Sequence, residues 1–175
     1  MLARSVNSAR FFFFQPLGDS RPFGAWSSTN LEHLVNFTAN KNLMLDMNTV
    51  RPYIATAQYR AMVELAQGAE RAHYAEAFTT LAERIRAMPH TYQQSGVGRN
   101  SIAHLHYFLG NSHWYITEKD KFGGVRQAFC FAILQGDWMN AEFGYVSIAE
   151  LTRIGAEVDL TFKPQRLAEV IAMGD

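Results

Sequence analysis

The sequence contains one cysteine, Cys130, in 175 residues. A single thiol excludes an intramolecular disulfide and a zinc cluster built from thiolates, and it is typical of a protein of the reducing cytoplasm. Cys130 lies between two phenylalanines, so we interpret it as a small buried hydrophobic residue rather than a nucleophile. Long hydrophobic runs are also missing, since no stretch reaches the roughly 18 consecutive apolar residues of a membrane span. The sequence therefore predicts a cytoplasmic protein without a membrane-spanning segment.

Neither sign of charge is in excess, because 16 basic residues balance 16 acidic ones. A broad basic face for duplex DNA would show as net positive charge, and a mimic of DNA would need a large acidic excess. Direct binding to nucleic acid is therefore not expected. The charge is nevertheless uneven: residues 1–60 hold six basic and three acidic residues, whereas residues 101–175 hold six basic and nine acidic residues.

Established catalytic signatures are absent as well. The chain has no nucleophile elbow, P-loop, HExxH zinc motif or dinucleotide-binding fingerprint. Four acidic residues in predicted turns and loops could gather as paired carboxylates for acid–base chemistry. We favour a simpler interpretation, in which the first two shape a turn and the last pairs with an arginine. These four residues are Glu118, Asp120, Asp137 and Glu142.

The most informative local pattern is a β-hairpin in residues 101–118. Two β-rich runs flank Gly110-Asn111, and a two-residue loop of this type suits a primed turn because glycine adopts positive φ freely. This turn predicts that Leu109 faces Ser112 in the hairpin, and it sorts the side chains onto two faces. The core face carries Ala103, Leu105, Tyr107, Leu109, Trp114 and Ile116. The other face carries His104, His106, Phe108, His113, Tyr115 and Thr117.

Helical spacing dominates residues 51–88. Apolar residues recur at steps of three and four on both sides of Gly68, and Pro52 and Pro89 stand at the two ends. We predict two helices that are joined or kinked at Gly68. Before them we predict a strand at residues 10–15, a helix that begins near Ser28 and is broken at residues 40–42, and a short strand at residues 43–47.

Strand patterns fill much of the C-terminal half. Residues 125–134 are almost continuously hydrophobic and predict the central strand, and residues 144–146 and 158–162 predict two further extended segments. Ser147 and Glu150 have the spacing of a capping box, and Pro164 opens a closing helix. The predicted fold is a single α+β domain, residues 1–175, in which an antiparallel sheet of about four strands carries the helical pair on one face. Residues 1–100 form its mostly helical part, and residues 101–175 form the part centred on the hairpin.

Three separated motifs stand out between residues 101 and 170. They are Trp114-x-Ile116-Thr117-Glu118-x-Asp120, Glu142-x-Gly144-Tyr145-Val146-Ser147-Ile148-x-Glu150-Leu151 and Asp159-Leu160-x-Phe162-x-Pro164. In order and spacing they resemble a bacterial domain-of-unknown-function family carried mostly by plasmids, integrative elements and phages. The resemblance implies a mobile genetic element as the genomic setting and implies no particular reaction. Accessory proteins of such elements are often antirestriction or anti-CRISPR factors, which is an inference by association.

The histidines of the hairpin are the sharpest chemical hypothesis. His104 and His106 lie two apart on one strand, and His113 lies diagonal to His106 on the next strand. Three imidazoles with an open position could hold zinc or another divalent ion. A metal site also needs acceptors around its ligands, and no acidic residue lies on this face of the hairpin. We therefore favour the interpretation that these are polar residues of a sheet face, with zinc as the alternative.

A loop after the predicted central strand is a candidate binding surface. Trp138 and Met139 are side chains of the kind that concentrate binding energy, although they could equally form a lid over the core. Acidic residues surround them, and an acidic rim around an aromatic anchor suits a basic protein surface. The predicted partner-binding residues are Asp137, Trp138, Met139, Glu142, Phe143 and Glu157.

These observations favour a non-enzymatic accessory protein of a mobile genetic element, a counter-defence inhibitor of the anti-CRISPR or antirestriction kind. It would act without a cofactor, as a monomer or homodimer, by binding a host defence or nucleic-acid-handling protein complex. The alternative is a small metal- or carboxylate-dependent enzyme that acts on nucleic acid or nucleotides. Direct binding of single strands by tyrosine and phenylalanine side chains is disfavoured by the neutral net charge.

Overall fold

The computed structural model describes residues 28–172, and the side chains from residue 39 onward. The predicted strand at residues 10–15 lies outside this range. Five α-helices occur in the described part, together with single 3-10 turns at Arg51–Tyr53 and Gly98–Asn100. The helices are α1 (Ser28–Val50), α2 (Thr56–Leu65), α3 (Arg71–Ala87), α4 (Ile148–Arg153) and α5 (Leu167–Ile171).

The helical pair is confirmed, and α1 corrects the prediction that precedes it. Helix α2 ends three residues before Gly68 and α3 begins three residues after it. The sequence pattern predicts a break at residues 40–42 and a strand at residues 43–47, but α1 continues through both segments. The physical reason is the contact with α3, where buried Asp46 accepts hydrogen bonds from Thr79 (2.8 Å) and Arg86 (2.7 Å). Tertiary packing overrides the local alternation here.

Seven strands follow α3 in the residues that the structure describes. Five of them form an antiparallel sheet in the order β5-β4-β3-β2-β6, and β1 pairs with β7 separately. The α+β class is confirmed, with one more strand in the main sheet than predicted. The strands are β1 (Ile102–Ala103), β2 (Leu105–Leu109), β3 (Ser112–Glu118), β4 (Ala128–Ile133), β5 (Glu142–Val146), β6 (Glu157–Val158) and β7 (Gln165–Arg166).

The hairpin has the predicted register. Leu109 pairs with Ser112, and Gly110 adopts a φ of 56°, which the primed turn requires. The middle strand of the sheet is β3, whereas the hydrophobic run of residues 125–134 contains β4, which lies between β3 and β5. That run is hydrophobic because β4 has neighbours on both edges and is covered on one face and partly covered on the other.

Two hydrophobic clusters cover the two faces of the sheet. On the first face, side chains of α2, α3 and the Arg51–Tyr53 turn pack against Leu105, Tyr107, Trp114 and Ile116. We call the other side the second face. There, α5 and Phe162 cover part of β4 in a smaller cluster of Ala103, Phe131, Ile133, Phe162, Leu167 and Ile171. The β5 side of the second face stays more open, and the candidate site described below lies there.

The predicted strand at residues 158–162 is mostly a turn. Only Glu157–Val158 pairs with β2, because the side chain of Asp159 accepts hydrogen bonds from the backbone N–H groups of Thr161 (2.9 Å) and Phe162 (3.1 Å). This local turn removes the following residues from the sheet and directs Phe162 into the smaller cluster. Within residues 28–172, no helix combines the length and the hydropathy that a bilayer crossing requires.

Replacing Tyr107 by Phe tests the connection between the sheet and the helical part. The fully buried Tyr107 hydroxyl donates a 2.5 Å hydrogen bond to the carbonyl of Tyr53. Its loss leaves that buried carbonyl without this donor, so the free energy of unfolding in urea should fall by about 1–3 kcal/mol. As a control, Tyr74→Phe at a half-buried position should change it by at most about 0.5 kcal/mol. Equal effects of the two substitutions would contradict the assignment.

Candidate functional site

A β-bulge in β3 determines which groups meet on the second face. Ile116 pairs with Cys130 and Glu118 pairs with Phe129, so Thr117 and Glu118 together oppose a single residue of β4. One extra residue reverses the alternation of side chains that follow it. Glu118 therefore leaves the helix-covered face and lies beside Phe129 on the second face.

Glu118 holds the loop between α3 and β1, which crosses this part of the sheet and which we call the crossing loop. Its carboxylate accepts hydrogen bonds from the backbone N–H groups of Tyr92, at 2.9 Å, and of Gln94. The side chain of Gln94 in turn donates to the carbonyl of Thr117 (2.9 Å). Tyr92 has a φ of 79°, a conformation that is strained for a non-glycine residue and that these hydrogen bonds hold in place. Glu118 is only 3% exposed.

An open cavity of about 320 Å³ lies between this loop and the β5 side of the sheet. Its walls are three aromatic rings and the loop residues Gln94, Ser95, Gly96, Gly98 and Ser101, and Glu118 lies at its base. The Phe129 ring stands edge-on to the Tyr145 ring at 5.1 Å and lies parallel to the Phe143 ring at 6.1 Å. We call this cavity, with Gln94, Glu118, Phe129, Phe143 and Tyr145, the aromatic cleft.

The structure brings two of the three predicted histidines together with an acid. His106 lies between Asp159 and His113, with Nδ1 at 3.1 Å from Oδ2 of Asp159 and Nε2 at 3.0 Å from Nδ1 of His113. Its ring also stacks on Tyr115, with 4.5 Å between the centroids. A carboxylate only accepts hydrogen bonds, so His106 donates from Nδ1 to Asp159, and in its neutral form it accepts at Nε2 from Nδ1 of His113. The acid that the hairpin lacks is supplied by the turn after β6.

Burial and hydrogen bonding shift the pKa values of His106 and Asp159 in opposite directions. Burial lowers the pKa of His106, while the hydrogen bond and charge of Asp159 partly offset that effect. Burial acts to raise the pKa of Asp159, but hydrogen bonds from Thr161 and His106 outweigh it and hold that pKa below its usual value. His104 stands apart, at the single position between β1 and β2, and burial followed by the charge of Lys119 lowers its pKa.

The geometry does not place the three imidazoles around a common point. Both ring nitrogens of His106 are already engaged, and among the residues that the structure describes no three His, Cys, Asp or Glu side chains are arranged to hold a metal ion. Zinc held by His104, His106 and His113 remains a prediction of the sequence.

The predicted partner-binding residues fall in two places. Trp138 and Met139 lie at the tip of the β4–β5 loop, where Met139 is 94% and Trp138 37% exposed. Asp137 holds that loop by accepting hydrogen bonds from the backbone and side-chain amides of Asn140 (3.2 and 2.7 Å). Glu142 and Phe143 begin β5 next to the loop, and Phe143 also lines the aromatic cleft. Glu157 lies on β6, at the opposite edge of the sheet.

The four predicted carboxylates do not gather at one point. Asp120 shapes the turn after β3, where it accepts a hydrogen bond from the backbone N–H of Phe122 (2.9 Å), and Glu118 holds the crossing loop. Asp137 and Glu142 lie at the β4–β5 end. For the part of the chain described, no ion pair of Glu142 with an arginine is formed. The turn-shaping interpretation of Asp120 is thus confirmed.

Sequence reasoning missed the cleft itself. Phe129 lies in no motif, and Tyr145 lies in a motif that implies no role for it. Strict alternation along β3 would place Glu118 on the core face, because a bulge leaves no local signature in the sequence. The one available signal was the aromatic alternation across β4 and β5, which puts Phe129, Phe131, Phe143 and Tyr145 on one face.

No protein-family model, curated protein or solved structure matches the chain. The resemblance in the three motifs therefore stays a prediction.

The buried histidines predict how stability depends on pH. The pKa values of His104 and His106 in the folded protein lie below the unfolded value of about 6.5, so the unfolded chain binds more protons as the pH falls. The free energy of unfolding should therefore decrease between about pH 7.5 and 5.5, measured by urea titration at each pH.

Replacing His106 by Gln removes one of these two contributions and should make the slope with pH shallower. The exposed His73→Gln is the matched control and should leave the slope unchanged. A His106→Gln protein with the wild-type slope would contradict the role given to burial at this position.

Proposed function

We propose that this protein acts by binding a partner protein through the end of the sheet formed by the β4–β5 loop and the start of β5. The observation that carries the proposal is the exposure of Met139 beside Trp138 at the tip of that loop. A side chain that is 94% exposed cannot cover the core, which argues against the lid interpretation. Exposed methionine and tryptophan side chains are typical anchors of protein interfaces.

Neighbouring apolar side chains enlarge this surface. The β2–β3 turn lies beside the loop, because the backbone N–H of Gln135 donates to the hydroxyl of Ser112 (2.9 Å). That contact brings exposed Leu109 and Leu134 to the same end of the sheet as the tip residues. Leu109, Leu134, Trp138 and Met139 form what we call the apolar end. A group of exposed apolar side chains of this kind marks an interaction site.

The charge beside the apolar end indicates the partner's chemistry. Asp137 and Glu142 flank it, and hydrogen bonds from Asn140 lower the pKa of the Asp137 carboxyl, which is ionised at neutral pH. An acidic rim attracts a basic surface and disfavours an acidic one. The partner we propose is a basic protein surface, such as one that normally contacts nucleic acid.

The setting of this interaction is proposed from the resemblance alone. A family carried by plasmids, integrative elements and phages points to a counter-defence accessory protein. The partner would then belong to a host defence or nucleic-acid-handling complex, and the protein would act without catalysis.

A pair of methionine substitutions tests the apolar end. Proteins retained by the immobilised wild-type chain from a lysate of its own host should be lost with Met139→Asp, with affinity about 30-fold or more weaker, the effect of losing a hot spot. Met44→Asp is the matched control, because Met44 is also well exposed (65%) but lies on α1. Retention that is unchanged by Met139→Asp, or equally reduced by both substitutions, would refute the proposal.

A second pair compares the two edges of the sheet. Glu142→Lys reverses a charge beside the apolar end and should slow association with a basic partner at low salt, measured by surface plasmon resonance. Glu157→Lys makes the same change at an exposed position of β6 and should have little effect on the association rate. An equal effect of the two reversals would show general attraction by net charge instead of a local acidic rim.

A further inference from the structure

We infer that the aromatic cleft binds a guanidinium group, presented as an arginine side chain by the partner protein. Only the identity of the presenting molecule depends on the proposed function. The binding chemistry belongs to the cleft itself, which Met139 does not line and which shares only Phe143 with the predicted partner-binding residues.

The buried carboxylate at the base of the cleft is the first argument. Glu118 is 3% exposed and lines the cavity, and in the described part of the chain no lysine or arginine lies within 4.0 Å of its oxygens. Two backbone N–H groups stabilise the negative charge but do not neutralise it. A carboxylate oxygen has more than one acceptor position, so it can still accept from an entering cation. Desolvation strengthens such a charge-assisted hydrogen bond.

The aromatic walls are the second argument. Faces of phenylalanine and tyrosine rings attract cations when the charge lies within about 6 Å of the ring centroid. The protein already uses this attraction next to the cleft, where the Lys121 ammonium lies 4.8 Å from the centroid of Tyr92. The rings of Phe143 and Tyr145 have no such cation among the described residues, and Tyr145 is 53% exposed.

The combination of rings and carboxylate selects among possible ligands. Guanidinium is planar, stacks on aromatic faces and is less strongly hydrated than ammonium. Arginine therefore loses less hydration free energy than lysine on entering a largely apolar cavity. A phosphate group would be repelled by Glu118, which disfavours nucleotides even though their bases could stack on the rings. The volume of about 320 Å³ lies at the lower end of ligand sites and suits one side chain better than a large molecule.

The cleft is also well placed for the proposed partner. Phe143 belongs to its wall and directly follows Glu142 on β5, which begins at the end of the β4–β5 loop. Tyr145 lies four residues after Ala141, roughly 13 Å along the chain at the usual rise of a strand. A basic surface anchored at the apolar end can therefore present an arginine to the cleft.

Titration of the full chain with N-acetyl-arginine-N-methylamide, followed by amide chemical shifts, tests this inference directly. Saturable shifts should occur at Gln94, Phe129 and Tyr145. The citrulline analogue has nearly the same shape without the charge and should bind about tenfold or more weakly. Equal binding of the two compounds, tighter binding of adenosine monophosphate, or no saturable shift would overturn it.

Variants locate the site. Tyr145→Ala removes one exposed wall and should weaken the arginine compound about tenfold, while Phe122→Ala removes an exposed ring that does not line the cavity and should leave the affinity unchanged. Glu118→Gln should abolish the preference for arginine over citrulline. Glu118→Gln offers only one oxygen to the two backbone N–H groups that the carboxylate binds, so this variant could fail to fold. In that case, the Tyr145→Ala affinity decides whether the cleft is the binding site.

Failure of this inference is distinguishable from failure of the proposed function. The Met139→Asp protein should bind the arginine compound with wild-type affinity, because Met139 does not line the cleft. If Met139→Asp loses the partner but the wild-type protein does not bind the arginine compound, only the inference about the cleft is refuted. If the wild-type protein binds the arginine compound but Met139→Asp leaves partner binding unchanged, only the proposal that the apolar end binds the partner is refuted.

Discussion

The cross-strand register of β2 and β3 is the constraint on which the rest of the structure depends. The glycine at position 110 closes the hairpin so that Tyr107 pairs with Trp114, and both side chains are buried under the helices. Because β3 is the middle strand, its register passes to β4 and from there to β5. A shift of one residue would exchange the faces of the sheet and expose the apolar side chains that hold α2 and α3.

One interruption of that register creates the candidate site. The bulge at Thr117 costs a regular ladder position but turns the next residue, Glu118, onto the second face. There its carboxylate holds the crossing loop by two backbone N–H groups, and the loop forms the far wall of the aromatic cleft. The Glu118 side chain thus connects the fold to the site, because it orders the crossing loop and also places a negative charge in the aromatic cleft.

Local chemistry explains which elements were predictable. The hairpin depends on a glycine turn and a period of two, the helical pair depends on a period near 3.6, and Ser147 caps α4 by accepting a hydrogen bond from the N–H of Glu150. Each of these signals lies within a few residues of what it determines. The course of α1 depends instead on Asp46, whose partners Thr79 and Arg86 lie 33 and 40 positions away.

By itself, the sequence determined the α+β class, the hairpin register and the two helices around Gly68. Only the tertiary structure decided that Glu118 faces the aromatic rings, that Asp159 completes the row of His106 and His113, and that Glu142 and Glu157 lie at opposite edges. The reason is physical. Periodicity fixes the direction of a side chain along its own strand or helix, whereas the meeting of distant side chains depends on strand order and on bulges.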